Sequence, residues 1–234
     1  MEIIIAVPAY NEELVLKSNI LKLLDFCQSN LSDDWRVVVA DNNSTDKTAE
    51  IAQTLASQNF NCDYLLVAKP GKGNAIKTAW LNYQADVYIF MDADLATDLS
   101  ALPQLVEKIK AGYDIAIGCR FHRESIVSRS VIRNILSYGY SYLSRLYLGI
   151  KIKDPACGFK AISDRVKKTI LPMIGNNQFF FDSELVILAG RQVFKIAEIP
   201  VKWQESNTAG RKSRVNLFKT IWEYLSNLNR IRRF

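Results

Sequence analysis

The stretch Val87-Tyr88-Ile89-Phe90-Met91-Asp92-Ala93-Asp94-Leu95-Ala96-Thr97-Asp98 decides how this chain is read, because an uncharged apolar run stops at two carboxylates spaced two apart. Residues 87–91 are β-branched, aromatic and few, which predicts a strand buried on both faces of a parallel sheet. In extended chain alternate residues share a side, so Asp92 and Asp94 can converge on one cation where the strand runs out. One or two carboxylates, with water and substrate phosphates completing the shell, suit Mg²⁺ or Mn²⁺. The plainer alternative is that the pair solubilises a strand-to-loop junction.

The pattern repeats on the N-terminal side. Residues 1–7 form a β-branched run halted by Pro8, and Ala9-Tyr10-Asn11-Glu12-Glu13 leads into a helical pattern over 14–28. Asn11 is a candidate N-cap with acidic residues in the first turn. A second strand at 36–40 ends in Asp41, followed by Asn42-Asn43-Ser44-Thr45-Asp46 and a helix near 47–57. After a third strand at 64–68, Lys69-Pro70-Gly71-Lys72-Gly73-Asn74 opens a helix to 83. Two glycines around a lysine at a helix start can turn backbone N–H groups and one positive charge toward a phosphate. A helix over 99–111 and a strand over 113–118 follow. Successive βα units with polar strand ends imply an open doubly wound α/β sheet that binds its ligand, most naturally a nucleotide, at those ends. Neither GxGxxG nor a P-loop is present. His122 is the only histidine, so a Ser-His-Asp triad would have to use it, and a surface-loop role is the plainer reading.

The second half has a different texture. Residues 126–150 read as one helix carrying Arg129, Arg133 and Arg145 among apolar residues and Tyr138, Tyr140, Tyr142 and Tyr147. Such a segment either lies in a membrane interface or packs on its own domain. Residues 154–161 read as a turn, 183–192 as a helix, and 196–203 as one strand interrupted at Pro200 and therefore at an edge. Residues 207–214, with Arg211, Lys212 and Arg214, form a candidate mobile lid for phosphates. Residues 215–234 place Leu228 and Ile231 among apolar positions at helical spacing and end in Arg230, Arg232 and Arg233. Their basic end favours a membrane-surface foot over a core-packed helix.

Composition sets the outer bounds. With 234 residues, 49% hydrophobic and 23% charged, the chain is expected to fold as one domain. No apolar run approaches the roughly 18 residues of a membrane span, and no basic leader opens the sequence, so neither export nor integral insertion is expected. Four scattered cysteines without a CxxC pair suit a reducing cytoplasm. A net charge of +6 and a pI near 9.1 call for an anionic partner. Nucleic acid is disfavoured, because the basic residues are not interleaved with aromatics along one strand surface.

In this order and at these spacings the segments resemble family 2 glycosyltransferases of the GT-A fold, and within them the polyprenyl-phosphate (dolichyl-phosphate) hexose synthases, over nearly the whole chain. Pro8-Ala9-Tyr10-Asn11-Glu12 and residues 41–46 look like the family's nucleotide loops, Gly71-Lys72-Gly73-Asn74-Ala75 its KGxA-type loop, and Asp92-Ala93-Asp94 its DxD metal motif. Gly118-Cys119-Arg120-Phe121, residues 154–160 and Phe181-Asp182-Ser183-Glu184-Leu185 look like acceptor-side motifs of the glucosyl branch. Ala96 stands where mannosyl-phosphate synthases commonly carry a glutamine that helps hold the metal, which favours UDP-glucose over GDP-mannose.

The resemblance implies an α/β fold of GT-A type: a single Rossmann-like doubly wound mixed sheet with flanking helices and a C-terminal amphipathic helix. Residues 1–125 would bind the nucleotide sugar, 126–214 the acceptor, and 215–234 would form the terminal helix. The implied reaction is inverting transfer of a hexose from a nucleoside-diphosphate sugar to a polyprenyl phosphate, peripherally on the cytoplasmic face of a membrane, with Mg²⁺ or Mn²⁺ on Asp92 and Asp94. Donor binding then falls to Pro8, Tyr10, Glu12, Asp41, Asn43, Lys72, Asp92, Arg211 and Arg214, and catalysis to Asp94, Arg120, Arg133 and Asp182. Arg120, Arg129 and Arg133 would hold the acceptor phosphate, with Asp182 or Glu184 touching sugar hydroxyls or orienting those arginines. Two alternatives stay open: a transferase to a sugar or protein hydroxyl using Asp182 or Glu184 as base, and a peripheral membrane nucleotide-binding module. Room is left for a separate membrane-anchoring subunit.

Overall fold

The computed structural model describes residues 1–205 together with 224, 226–228, 230 and 231, the backbone alone for 131–133. Its first half is a run of βα units: β1 (Glu2–Ala9), α1 (Leu16–Asn30), β2 (Asp34–Asp41), α2 (Thr48–Gln58), β3 (Cys62–Leu66), α3 (Lys72–Asn82), β4 (Val87–Met91), α4 (Leu102–Lys110) and β5 (Ile115–Cys119). The second half runs β6 (Ile126–Ser128), α5 (Val131–Leu148), β7 (Phe159–Ser163), α6 (Asp164–Thr169), α7 (Phe181–Arg191), β8 (Ile196–Pro200) and β9 (Lys202–Gln204). Among the described residues no helix is long and apolar enough to cross a membrane.

Seven strands form one mixed sheet in the order β3-β2-β1-β4-β7-β5-β8, and β6 pairs with β9 in a small second sheet. The chain steps outward from β1 through β2 to β3, then returns to the other side of β1 with β4. That reversal opens a crevice at the carboxyl ends of β1 and β4, the place where open α/β sheets bind ligands. β4 is buried at every residue, as its apolar run predicts. Its two neighbours differ, however: β1 runs parallel to it and β7 antiparallel. The parallel setting read from the run 87–91 alone holds on the β1 side only, and the sheet is mixed, as the resemblance implied. On one face Trp80 of α3 packs against Tyr88, Phe90 and Phe181, and its indole Nε1 donates to the Ile89 carbonyl at 3.1 Å. A buried indole needs such a partner, so this bond ties α3 to the strand that delivers Asp92.

Three segments differ from the sequence reading. The expected helix over 126–150 begins only at Val131, since residues 126–128 pair with β9. The expected turn over 154–161 ends in strand β7, inserted between β4 and β5. The expected strand over 196–203 is two strands in two sheets, parted at Val201, with β8 at the sheet edge as Pro200 suggested.

Candidate active site

Two loops meet at the carboxyl ends of β1 and β2. Asp41 is 1% exposed; its Oδ1 accepts from the Ser44 N–H at 3.0 Å and its Oδ2 from the Tyr64 hydroxyl at 3.3 Å. Asn11 and Asn43 take left-handed φ values of 54° and 61°, which asparagine tolerates better than most residues. Asn11 is not a helix N-cap: α1 starts at Leu16, and the Asn11 Oδ1 accepts instead from the Thr45 N–H at 2.8 Å. No acidic residue lies in the first turn of α1, and Glu13 accepts from the Lys47 N–H across the loops at 3.1 Å. Glu12 is buried, its N–H donating to the Thr48 hydroxyl at 2.8 Å. Pro8 is half-buried at the end of β1, while Tyr10 and Asn43 are exposed at the rim.

The glycine loop is fixed by close packing. Gly71 has φ 148°, and a Cβ there would lie 2.2 Å from the Asn177 carbonyl oxygen. A Cβ on Gly73 would lie 2.5 Å from the Phe181 Cβ. Both positions need glycine for the start of α3 to lie against residues 177–181, where the Asn74 N–H donates to Asn177 O at 3.0 Å. Lys72 is thereby carried to the end of β4, its Nζ 2.8 Å from Asp92 Oδ1 and 2.8 Å from Asp182 Oδ2. Burial would lower the pKa of this ammonium, but Asp182 and Asp92 outweigh it and hold it above the ordinary lysine value.

β4 ends at Met91, so Asp92 and Asp94 stand in a turn and the alternation that would aim both to one side does not apply. Leu95 closes the turn at φ 50°, a conformation rare for a branched side chain, and its N–H donates to Asp92 O at 3.1 Å. Asp94 Oδ1 accepts from the Ala96 N–H at 3.2 Å. Asp92 rests over Gly158, where a Cβ would be 2.1 Å from Asp92 Oδ2. Among the described residues no group of three His, Cys, Asp or Glu forms an all-protein metal cage. The donor set at hand fits Mg²⁺ or Mn²⁺ bound through few carboxylates plus substrate oxygens: Asp92, 44% exposed at its side chain, with Asp94 two residues on. Asp182 Oδ1 is buried with no hydrogen-bond partner among the described residues.

On the other side of β4 the turn 154–158 orders Arg120, a residue expected on the acceptor side. Asp154 accepts from Arg120 Nε and Nη2 at 2.8 Å each and from its backbone N–H at 2.9 Å. Burial would raise the Asp154 carboxyl, but Arg120 outweighs it and holds it below the usual range. Arg120 also lies over the rings of Phe121 and Trp203, and Arg129 over Trp203 at 5.5 Å. The orienting carboxylate of Arg120 is thus Asp154, and the expectation that Asp182 or Glu184 orients it is corrected. Asp182 serves Lys72; Glu184 accepts from Arg230 at 2.8 Å and from the N–H groups of Gly175 and Asn176. Arg133 lies on α5 with its side chain outside the described residues, as do Arg211, Lys212 and Arg214 entirely.

Lys160 was not singled out from the sequence. It is fully buried on β7, its ammonium 5.4 Å from the Phe90 ring centroid, with Lys72 5.5 Å from the same centroid. Burial lowers its pKa. The available signal was a lysine set inside Phe159-Lys160-Ala161-Ile162, an apolar run too short to announce a strand.

α5 carries no carboxylate and exposes Ile135, Leu136, Tyr138, Tyr142, Leu143 and Leu146. Part of that face, with Phe121, Arg145 and Lys153, lines a groove of about 700 Å³. The described residues of the terminal segment behave otherwise. Leu228 and Ile231 are buried against Phe180 and Ile187, and the Tyr224 hydroxyl donates to Phe179 O at 3.1 Å. For these residues core packing replaces the expected membrane-surface foot.

Residues 4–171 match the family model described as Glycosyl transferase family 2. Glycosyltransferase AglD of Haloferax volcanii is 33% identical over 87% of this chain and 33% of its own length. A dolichyl-phosphate beta-glucosyltransferase of Saccharomyces cerevisiae is 29% identical over 86% of this chain and 66% of its own. The chain thus spans a third of one relative and just under two-thirds of the other. A crystal structure of glucosyl-3-phosphoglycerate synthase from Mycobacterium tuberculosis, in complex with Mn²⁺, UDP-glucose and phosphoglyceric acid, matches with TM-score 0.68 at 19% identity, covering 97% of this chain and 77% of that one. That likeness is one of fold.

Proposed function

The chain belongs to glycosyl transferase family 2 and has the GT-A fold; on that premise we propose that it transfers a hexose, with inversion, from a nucleoside-diphosphate sugar to a polyprenyl phosphate at a membrane surface. UDP-glucose is the favoured donor and GDP-mannose the next. Residues 1–125 serve the donor and 126–214 the acceptor, sharing one sheet because β7 of the second half lies between β4 and β5 of the first.

The observation that carries this reading is that one turn touches both halves of the chemistry. Gly158 lies against Asp92 and Asp154 clasps Arg120, so two positions of one turn, four residues apart, border a donor carboxylate and an acceptor guanidinium. Asp92 and Asp94 would hold a Mg²⁺ or Mn²⁺ ion, which would supply charge neutralisation for the departing nucleoside diphosphate. Lys72 adds a positive charge on the same side. A phosphate monoester has a second pKa near 6 and is largely dianionic at pH 7, so it needs no protein base. The carboxylates of Asp182 and Glu184, ion-paired with Lys72 and Arg230, are then not asked to take a proton. Arg120 and Arg129, stacked on Trp203, with Arg133 on the next helix, hold the acceptor phosphate. The apolar, carboxylate-free face of α5 offers its isoprenoid tail and the surrounding lipid a surface.

The unpartnered Asp182 Oδ1 favours a second reading, in which Asp182 deprotonates a sugar or protein hydroxyl. A donor screen separates the two. Purified protein is incubated with Mg²⁺ or Mn²⁺, a short polyprenyl phosphate, and radiolabelled UDP-glucose or GDP-mannose in turn. Label entering the lipid fraction supports the first reading. Label reaching only water or a hydroxyl acceptor overturns it.

A further inference from the structure

Lys72 occupies the place between two carboxylates that a divalent ion would otherwise contest. Its Nζ stands 2.8 Å from both Asp92 Oδ1 and Asp182 Oδ2, so a single ammonium balances two negative charges. The two arms are unequal. Asp182 is 3% exposed at its side chain and held on α7, whereas Asp92 is 44% exposed on a turn and bordered by the side-chain-free Gly158. An ion pair open to water is worth little, while a buried one is costly to break, so the Asp92 arm is the one that lets go.

Resting on the metal-dependent reading above, we propose that Lys72 is a built-in placeholder cation that competes with the divalent ion for Asp92. The nucleoside diphosphate releases Asp92 to the metal by offering Lys72 a replacement anion. Lys72 keeps Asp182 throughout and turns only its remaining charge. Metal alone therefore binds weakly, because it must displace a resident cation or sit beside it. Metal and diphosphate bind with positive linkage, each removing a cost the other would meet. The arrangement favours metal arriving with the donor and keeps the two aspartates from facing each other uncompensated in the empty crevice.

The test titrates the full chain with Mn²⁺, followed by the electron paramagnetic resonance signal of the free ion, with and without UDP and with no acceptor present. Lys72→Gln is expected to bind Mn²⁺ alone about fivefold tighter or more, with the UDP-dependent gain shrinking, the size of an ordinary coupling free energy. Lys72→Arg, which keeps the charge, should stay within about twofold of the parent. Asp182→Asn leaves Lys72 wholly to Asp92 and should weaken Mn²⁺ binding by about threefold; it carries the test if Lys72→Gln does not fold. Opposite signs for the two variants are the signature, which a merely structural role of Lys72 would not produce. Unchanged or weaker binding by folded Lys72→Gln, or unchanged binding by Asp182→Asn, overturns the proposal. No transfer is measured, so a protein that shows this linkage yet glycosylates no lipid phosphate would sink the functional reading alone.

Discussion

Gly158 and Asp92 exclude each other's growth: a Cβ on the glycine would stand 2.1 Å from the Oδ2 of the aspartate. The backbone of Gly158 does not lie in the left-handed region, so the conflict is with the carboxylate and not with the fold. Gly158→Ala should therefore shift the thermal midpoint little, within the stability change of about 0.5 kcal/mol typical of a tolerated substitution, while displacing Asp92. Mn²⁺ affinity in the presence of UDP should fall by about tenfold, the order expected for disturbing a group next to a metal ligand. Calorimetric titration beside differential scanning calorimetry reads both, and undiminished Mn²⁺ binding would show that the position of Asp92 does not matter to the ion.

Asp94 sits in the turn after β4, where its Oδ1 accepts a local 3.2 Å bond from the Ala96 N–H. Asp94→Asn should leave the circular dichroism spectrum and melting intact and reduce metal-dependent transfer by about 10² or more, the scale of losing one preorganised electrostatic contact. Near-normal rates would remove Asp94 from the metal site.

The Arg120–Asp154 pair makes stability depend on acid. Asp154 has its carboxyl held below the ordinary value near 3.8, so its contribution is present above that value and lost as pH falls through the lower folded-state value. Asp154→Asn strands a buried guanidinium and should cost about 3–5 kcal/mol at neutral pH. The gap between parent and variant should narrow as pH drops below the ordinary aspartate range. Urea unfolding at several pH values measures it, and a gap that widens in acid would contradict the ion pair.

Ile231 is fully buried beside Phe180 and Ile187, so Ile231→Ala should cost about 2–5 kcal/mol in chemical denaturation. A helix lying on lipid would instead keep its stability and lose sedimentation with liposomes. The same measurement distinguishes the two.

What the sequence disclosed was local. Val87 to Met91 announced itself because five uncharged residues end in carboxylates, and Asp41 and Lys72 because each sits where a strand or helix meets a polar loop. What stayed hidden depends on contacts between distant residues. Lys72 meets Asp182 across 110 positions, and no spacing rule links a glycine loop to the first turn of α7. Arg120 was recognised as a cation, but Asp154 looked like a turn former beside Pro155, so its role as the guanidinium's clasp went unseen. β7 was missed for a physical reason: Lys160 interrupts its apolar pattern, and lysine is rarely fully buried unless something nearby compensates it.

The insertion of β7 between β4 and β5 also sets an order of assembly. During synthesis, residues 1–119 can assemble the β3-β2-β1-β4 part of the sheet, but β5 has no strand to join until Phe159–Ser163 has emerged and taken its place. For that interval one edge of β4, fully buried in the finished protein, offers bare backbone groups to any passing strand. A nascent chain stalled between Cys119 and Phe159 should thus be the form that aggregates or recruits chaperones, and β5 should be the last strand of the first 119 residues to become protected from hydrogen exchange.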